Sequence, residues 1–351
     1  MLNNHKKKSD LSIQEYNQYS KQLMLDNIGI IGQNKLKKSK VLIIGAGGLG
    51  CPIIIYLAAS GIGNIGIIDH DNIGISNLNR QIIYHTNEIK KNKTYYSKQK
   101  IQKINPKCAI SIYNYKLKYS NAINIMKYYD IIIDATDNFN TRYVIDEICY
   151  KLHKVHIYGA INRYEGQVSV FNYKNNIRYS DLYPKELQLI HQNCNEIGIL
   201  GIMSGTIGIL QATETIKIIL GIGNILNGKI LIYNLMNHAF KIIQISPYKK
   251  IIHKTTNTNQ NQIPYIKINE IVKTNNTMII DVQKNTDFIN NHIKQSINIP
   301  LQLFIHKKTI QFISKQYQNK IIILYCNTLS KATTAAHILF NYNINSHILK
   351  S

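Results

Sequence analysis

The sequence predicts an α/β protein: an open, doubly wound parallel sheet followed by a second, smaller α/β unit. Three observations predict it. A glycine-rich turn joins an apolar β-type run to a helix, further apolar runs end in polar residues, and a polar aperiodic stretch near residue 250 precedes a second set of strands and helices.

In order, the run at residues 41–44 stops at Gly45-Ala46-Gly47-Gly48-Leu49-Gly50, and a helix is expected over 51–60. A second run, 64–68, ends at Asp69. A third, 130–133, ends at Asp134-Ala135-Thr136-Asp137 before a helix around 140–152. In an open parallel sheet the carboxyl ends of such strands border one crevice, where ligands bind. Further on, 167–173 reads as a strand, 201–220 as a long helix, and 229–235 and 241–246 as a pair of strands. The first domain is expected over residues 1–248, with a Lys, Thr, Asn and Gln linker at 249–262 and a second domain at 263–351. In that second domain the pattern gives a strand at 278–282, a turn into Pro300, a helix at 309–318, a strand at 321–325, Cys326 and a helix from Lys331.

Composition narrows the class. The 351 residues are 44% hydrophobic and carry 42 Lys plus Arg against 19 Asp plus Glu, a balance of +23. That hydrophobic share excludes a disordered tail or a collagen-like fibre. Ile (69), Asn (42), Lys (38) and Tyr (24) make up 173 residues, while Trp is absent and Arg occurs four times. These abundant types are spelled by A/T-rich codons. The expected setting is a plastid, encoded by the organelle, with a bacterial or endosymbiont cytoplasm as the alternative. Lysines are scattered along the chain, so nucleic acid is not required as a partner. No apolar run reaches the length of a membrane helix. The five cysteines are far apart with no CxxC, which fits a reducing compartment.

The turn Gly45, Gly47, Gly50, with Asp69 ending the next strand, matches a dinucleotide fingerprint, so a nicotinamide or flavin oxidoreductase stays open on these residues alone. The stretch beyond Asp69 separates the readings: Asp71, Ser76-Asn77-Leu78-Asn79-Arg80-Gln81, Lys93 and Asp137-Asn138. Hydride transfer needs none of them. Cleaving ATP between its α and β phosphates needs a carboxylate for Mg²⁺ and fixed cations against the pyrophosphate. Arginine at position 80 is informative in a chain that writes 38 of its 42 basic residues as lysine. Each residue also has a structural reading. The glycines allow tight packing, Asp137 or Asn138 caps a helix, Lys93 is solvated, and Arg80 pairs with a local carboxylate.

Together with Tyr19-Ser20-Lys21-Gln22, Asp69-His70-Asp71 and Tyr158-Gly159-Ala160, these motifs resemble the molybdopterin-synthase and thiazole-biosynthesis adenylyltransferases, relatives of ubiquitin-activating enzymes. The resemblance covers about residues 16–246. It implies a Rossmann-like sheet of the ubiquitin-activating type that binds ATP and Mg²⁺. The activity implied is adenylation of the C-terminal Gly-Gly carboxylate of a small ubiquitin-like sulfur carrier, with release of pyrophosphate. Carriers for molybdenum cofactor, thiazole or tRNA thiolation all fit, and a non-catalytic scaffold is a rival of another class. By position, Gly48, Asp69, Asp71, Ser76, Asn77, Leu78, Asn79, Arg80, Lys93, Asp137 and Asn138 fall on the ATP site, with Asp137 on Mg²⁺. Lys21, where the family usually has Arg, is expected to reach phosphate from the mate of a homodimer. The family's zinc is held by two CxxC pairs, one expected near Arg178-Tyr179-Ser180-Asp181 and one after Pro247. Neither region has cysteine, so zinc is expected to be absent.

Two cysteines carry expectations of their own. Cys194 lies in a polar segment before the 201–220 helix, and in similar enzymes this position takes the carrier covalently. Cys326 follows an apolar strand and precedes a helix, a geometry that cradles sulfur with backbone N–H groups. With Asp281-Val282, Asp287-Phe288, His292-Ile293 and Ser296 to Pro300, it resembles rhodanese domains. That implies a persulfide on Cys326, with a cysteine desulfurase as a sulfur donor.

Overall fold

The computed structural model describes residues 11–174, 177–185, 198–245, 264–267, 276–318 and 320–350. The chain divides into two compact units, Met1–Pro184 with Ile190–Lys249, and Lys185–Leu189 with Lys250–Ser351. The expected linker at 249–262 lies outside the described residues.

The first unit is built on one eight-stranded sheet. Its strands are β1 (Lys40–Ile44), β2 (Asn64–Ile68), β3 (Ala109–Tyr113), β4 (Ile131–Asp134), β5 (Val155–Asn162), β6 (Glu165–Phe171), β7 (Lys229–Asn234) and β8 (Ala239–Gln244). They lie in the order β3-β2-β1-β4-β5-β6-β7-β8. The first five are parallel. β6 to β8 run antiparallel and extend the parallel half of the sheet. The cause is local: Asn162 pairs with Glu165, leaving only Arg163 and Tyr164 for the connection, and two residues close a hairpin but no crossover. Arg163 takes φ 56° to make that turn.

β1 is buried on both faces, as a central parallel strand should be. Val41 and Ile43 join the core under the helices Gly50–Ala59 and Gly201–Leu220, while Leu42 and Ile44 join a second cluster with Ile145 and Ile148 of the helix Phe139–Lys151. The Gly201 helix comes so near the glycine turn that a Cβ on Gly208 would lie 2.5 Å from the Leu49 carbonyl oxygen. Register then fixes the crevice. Ile44 pairs with Ile68 on one side and Asp134 on the other, so three strand ends finish level.

The second unit has β9 (Tyr265–Lys267), β10 (Thr277–Asp281), β11 (Ile297–Asn298), β12 (Ile321–Tyr325) and β13 (Ser346–Lys350), all parallel, in the order β11-β10-β12-β13-β9. Its core gathers Ile280, Ile322 and Leu324 with Ile313 of the helix Lys307–Tyr317 and Ala335 of the helix Leu329–Phe340.

Candidate active site

A cleft of about 700 Å³ opens at the level ends of β1, β2 and β4. It is lined by Gly48, Asp69, Asp71, Ser76, Asn77, Asn79, Arg80, Lys93, Asp137 and Asn138, ten of the residues read from the sequence. Leu78 is not among them: it packs half-buried against the core. Lys21 is exposed on the short helix Ser20–Leu23 and does not line this chain's own cleft. Cys194 lies outside the described residues.

The glycines divide by role. Gly45 has φ 102°, and a Cβ there would sit 2.6 Å from the Ala135 carbonyl oxygen. At Gly50 it would fall 2.0 Å from the Gly45 oxygen, so both positions are required by the turn itself. A Cβ on Gly48 would meet Ser204 Oγ at 2.9 Å, because the Gly201 helix packs there. Only at Gly47 is the neighbour distant, Gln81 Nε2 at 3.6 Å, and that backbone faces the cleft. Tight packing and ligand access are therefore both true, at different residues.

Asp69 ties the turn down. Its Oδ2 accepts from Ala46 N–H at 2.7 Å and its Oδ1 from Asp71 N–H at 2.8 Å. Burial pushes its carboxyl above the ordinary range, opposed by Lys93 and those backbone donors. A remaining lone pair on each oxygen can still accept from a ribose hydroxyl. Lys93 opens the helix Lys93–Ile104, whose N-cap Asn92 accepts from Tyr95 N–H. The solvated reading of this lysine fails: its side chain is 5% exposed and its ammonium donates to Asp71 Oδ2 at 3.0 Å. Arg80 is half-buried and donates to the Ser76 carbonyl at 2.7 Å and to Asn79 Oδ1 at 3.0 Å. Among the described residues it pairs with no carboxylate, so its charge is available to an anion in the cleft.

Asn138 does cap a helix, its Oδ1 accepting from Thr141 N–H at 2.9 Å. Asp137 does not cap; its exposed carboxylate accepts from Asn138 Nδ2 at 3.4 Å and faces the cleft. This donor set fits Mg²⁺, which takes one or two carboxylates together with substrate phosphates. Asp69, His70 and Asp71 are a further group of side chains able to approach a common ion.

Sequence reasoning missed the support beneath these residues. Asp134 is fully buried and accepts from Thr136 N–H at 3.0 Å and Thr136 Oγ1 at 2.6 Å, with His156 Nε2 at 3.4 Å and Arg142 Nε at 4.0 Å. Burial alone would raise its carboxyl, but the His156 hydrogen bond, Arg142 and Thr136 hold it below the ordinary range. Arg142 lines the cleft, donates to the Thr136 carbonyl at 2.9 Å, and stands over the Tyr158 ring. The argument used for Arg80, a rare arginine in a lysine-writing chain, would have found it.

The segment expected to match the first zinc pair is the short helix Tyr179–Leu182. Tyr179 is buried among Tyr143, Tyr158, Phe171 and Tyr183, and Arg178 donates to Asp146 Oδ2 at 2.8 Å. Phenol rings and a guanidinium cannot supply thiolate ligands, so this segment does not fit zinc, and the second expected region, after Pro247, lies outside the described residues.

In the second unit, Cys326 is buried directly after β12. Burial pushes its thiol up, while the Thr328 backbone N–H and Lys331 pull it down and Asp281 and Asp287 push it up further.

Sheet order, the glycine turn and a cleft lined by Arg80, Lys93 and the exposed carboxylate of Asp137 define the class, a doubly wound α/β nucleotide-binding protein. The family follows from comparison. The ThiF family profile matches residues 19–252 and that of the rhodanese-like domain matches 267–350, and the chain belongs to the ThiF family with a C-terminal rhodanese-like domain. It is 43% identical over 347 residues to a probable molybdopterin-synthase adenylyltransferase of Gracilaria tenuistipitata var. liui, covering 97% of this chain and 98% of that one. It is 33% identical over 337 residues to the adenylyltransferase and sulfurtransferase MOCS3 of Drosophila virilis, covering 88% and 75%. Among solved structures, PaaA aligns with a TM-score of 0.60 at 23% identity, covering 68% and 85%, a likeness of fold.

Proposed function

We propose that this protein adenylates the C-terminal Gly-Gly carboxylate of a small ubiquitin-like sulfur carrier for molybdenum cofactor biosynthesis. The observation that carries the reading is the convergence of Lys93, Arg80 and Asp137 on the cleft beside the open Gly47 backbone. The names of its full-length relatives support the same activity.

The carrier carboxylate, already ionised at neutral pH, attacks the α-phosphorus of ATP. The bond from that phosphorus to the oxygen bridging α and β phosphates breaks, pyrophosphate leaves, and the mixed anhydride remains. No strong base is required, so catalysis is positioning and charge. Lys93 and Arg80 face the phosphate oxygens, Asp69 holds the turn and accepts from the ribose, and Ser76, Asn77 and Asn79 border the phosphate path. Mg²⁺ held by Asp137 supplies further positive charge against the triphosphate.

Lys21 reaches the cleft of a second copy in a homodimer, and Cys194 is the position suited to a covalent carrier adduct. In the rhodanese-like domain, Cys326 thiolate attacks the terminal sulfur of a donor persulfide, such as that of a cysteine desulfurase, and releases the donor thiolate. The protein works without zinc, since neither expected ligand region contains cysteine, and in a plastid, as its bias toward residues with A/T-rich codons and its red algal relatives support. Carrier-dependent exchange of labelled pyrophosphate into ATP tests the central claim. Exchange that needs the carrier's terminal glycine supports it, and nicotinamide binding without exchange removes it.

A further inference from the structure

Around Cys326 the side chains form a directed chain of hydrogen bonds. Tyr325 OH donates to Asn327 Oδ1 at 2.7 Å, Asn327 Nδ2 donates to Gln283 Oε1 at 2.9 Å, and Gln283 Nε2 donates to Asp281 Oδ2 at 3.0 Å. Gln283 N–H adds a bond to Asp281 Oδ1 at 2.9 Å. An ionised aspartate only accepts, so the chain can run in one direction alone, and the orientation of both amides follows from it. Asp281 and Gln283 are buried, and Asn298 Nδ2 braces the carbonyls of both, at 3.1 and 3.0 Å. Register explains the meeting: Asp281 lies opposite Tyr325, so the ends of β10 and β12 present these groups side by side, with Cys326 next in the chain.

Asn327 itself is exposed, yet its amide is held at both ends. It directly follows Cys326 and precedes Thr328, the N-cap residue of the helix Leu329–Phe340. Pinning Asn327 to the buried Asp281–Gln283 pair therefore fixes the backbone between Cys326 and the start of that helix.

We propose that Asn327 is a positioning residue for sulfur transfer, holding the loop between Cys326 and the helix Leu329–Phe340 in one conformation, with the start of that helix beside anionic sulfur. This rests on the reading of Cys326 as the sulfur-carrying residue. With thiosulfate as donor, the Cys326 thiolate takes the outer sulfur, the sulfur–sulfur bond of thiosulfate breaks, and sulfite leaves with the bonding pair. Cyanide then takes the sulfur as thiocyanate and returns the thiolate. Negative charge stays on sulfur at Cys326 throughout, which is the charge that a fixed N–H favours. The groups facing it are Asp281 on β10, Asp287 on the helix Asn285–Asn290, Tyr325 on β12 and Lys331 on the helix Leu329–Phe340.

The test uses the full chain and follows alkylation of Cys326 by iodoacetamide against pH, read by mass spectrometry of its peptide. Asn327→Ala should move the midpoint up by about half a unit to one unit, since the loop and helix start are no longer held against the anion. Asn327→Asp, which cannot donate to Gln283 and adds a negative charge, should move it further. Thiosulfate:cyanide transfer near neutral pH should fall about three- to tenfold in Asn327→Ala and recover at higher pH, a profile that plain loosening of the domain does not produce. Unchanged midpoints in both variants overturn the proposal. Cys326→Ser separates the two levels: if it transfers sulfur as well as the native chain, the carrier reading fails, while the alkylation profile of the Asn327 variants still decides the role of that residue.

Discussion

The ammonium of Lys93 lies 3.0 Å from the Asp71 carboxylate, with the lysine side chain 5% exposed and the aspartate 53%. The asymmetry sets what each partner does. Asp71 can exchange its partner for water at small cost, whereas Lys93 has little water to turn to and stays aimed at the cleft. Replacing Lys93 by Met removes a buried charge and leaves an accessible carboxylate, so stability should change by no more than about 1 kcal/mol. Carrier-dependent pyrophosphate exchange should fall about 10²- to 10³-fold, the usual scale for one electrostatic stabiliser. A thermal melt and an exchange assay on the same preparation check both halves.

Asp137 is exposed, with only Asn138 Nδ2 at 3.4 Å, so its conservation of fold energy should be slight. Asp137→Asn should melt within about 0.5 kcal/mol of the native chain. The Mg²⁺ concentration giving half-maximal exchange should rise about tenfold or more, as when a charge-assisted bond of about 1.5 kcal/mol disappears. A Mg²⁺ titration of exchange reads this directly, and an unchanged midpoint assigns the ion to other carboxylates.

The strand ends and the glycine turn were legible because a parallel sheet writes apolar runs that stop at its ligand edge, and the 201–220 helix matches its reading residue for residue. β3 was not legible. It is an edge strand with no fully buried residue, so Ala109–Tyr113 carries too weak an apolar signal to stand out in an isoleucine-rich chain. Lys93 shows the limit at the site: its place in the motif series singled it out, but one lysine among 38 carries no sign of its burial, whereas Arg80 stood out by type. Asp134 was read only as a strand end, since its contacts to Arg142 and His156 join residues 8 and 22 positions away.

The Asp134 network should make the first unit sensitive to acid. Its folded carboxyl sits below the unfolded value of about 3.9, so the stability it contributes is complete above that value and is lost as pH falls through the folded one. Asp134→Asn strands Arg142 and His156 beside a neutral amide and should cost about 3–5 kcal/mol at pH 7. Urea unfolding measured at pH 7 and near pH 3 should show the native chain and the variant converging as the pH drops. Parallel loss in both proteins would place the acid sensitivity elsewhere.

The clasp at residues 178–183 makes a prediction about metal. Arg178 pairs with Asp146 at 2.8 Å and stacks 4.2 Å over the Tyr150 ring, Tyr179 N–H donates to Asp146 Oδ1 at 3.0 Å, and Tyr179 packs among four aromatic rings. An ion pair bonded to the same carboxylate as a backbone N–H, capped by tyrosines, holds this lobe by packing where thiolates would hold it by coordination. Purified protein should therefore contain no stoichiometric zinc, and a strong chelator should leave its melting temperature unchanged. Arg178→Ala should destabilise by about 1.5–3 kcal/mol, the range for a hydrogen bond to a charged group. One zinc per chain, or a chelator-induced fall in the melt, would show that side chains other than these close the lobe.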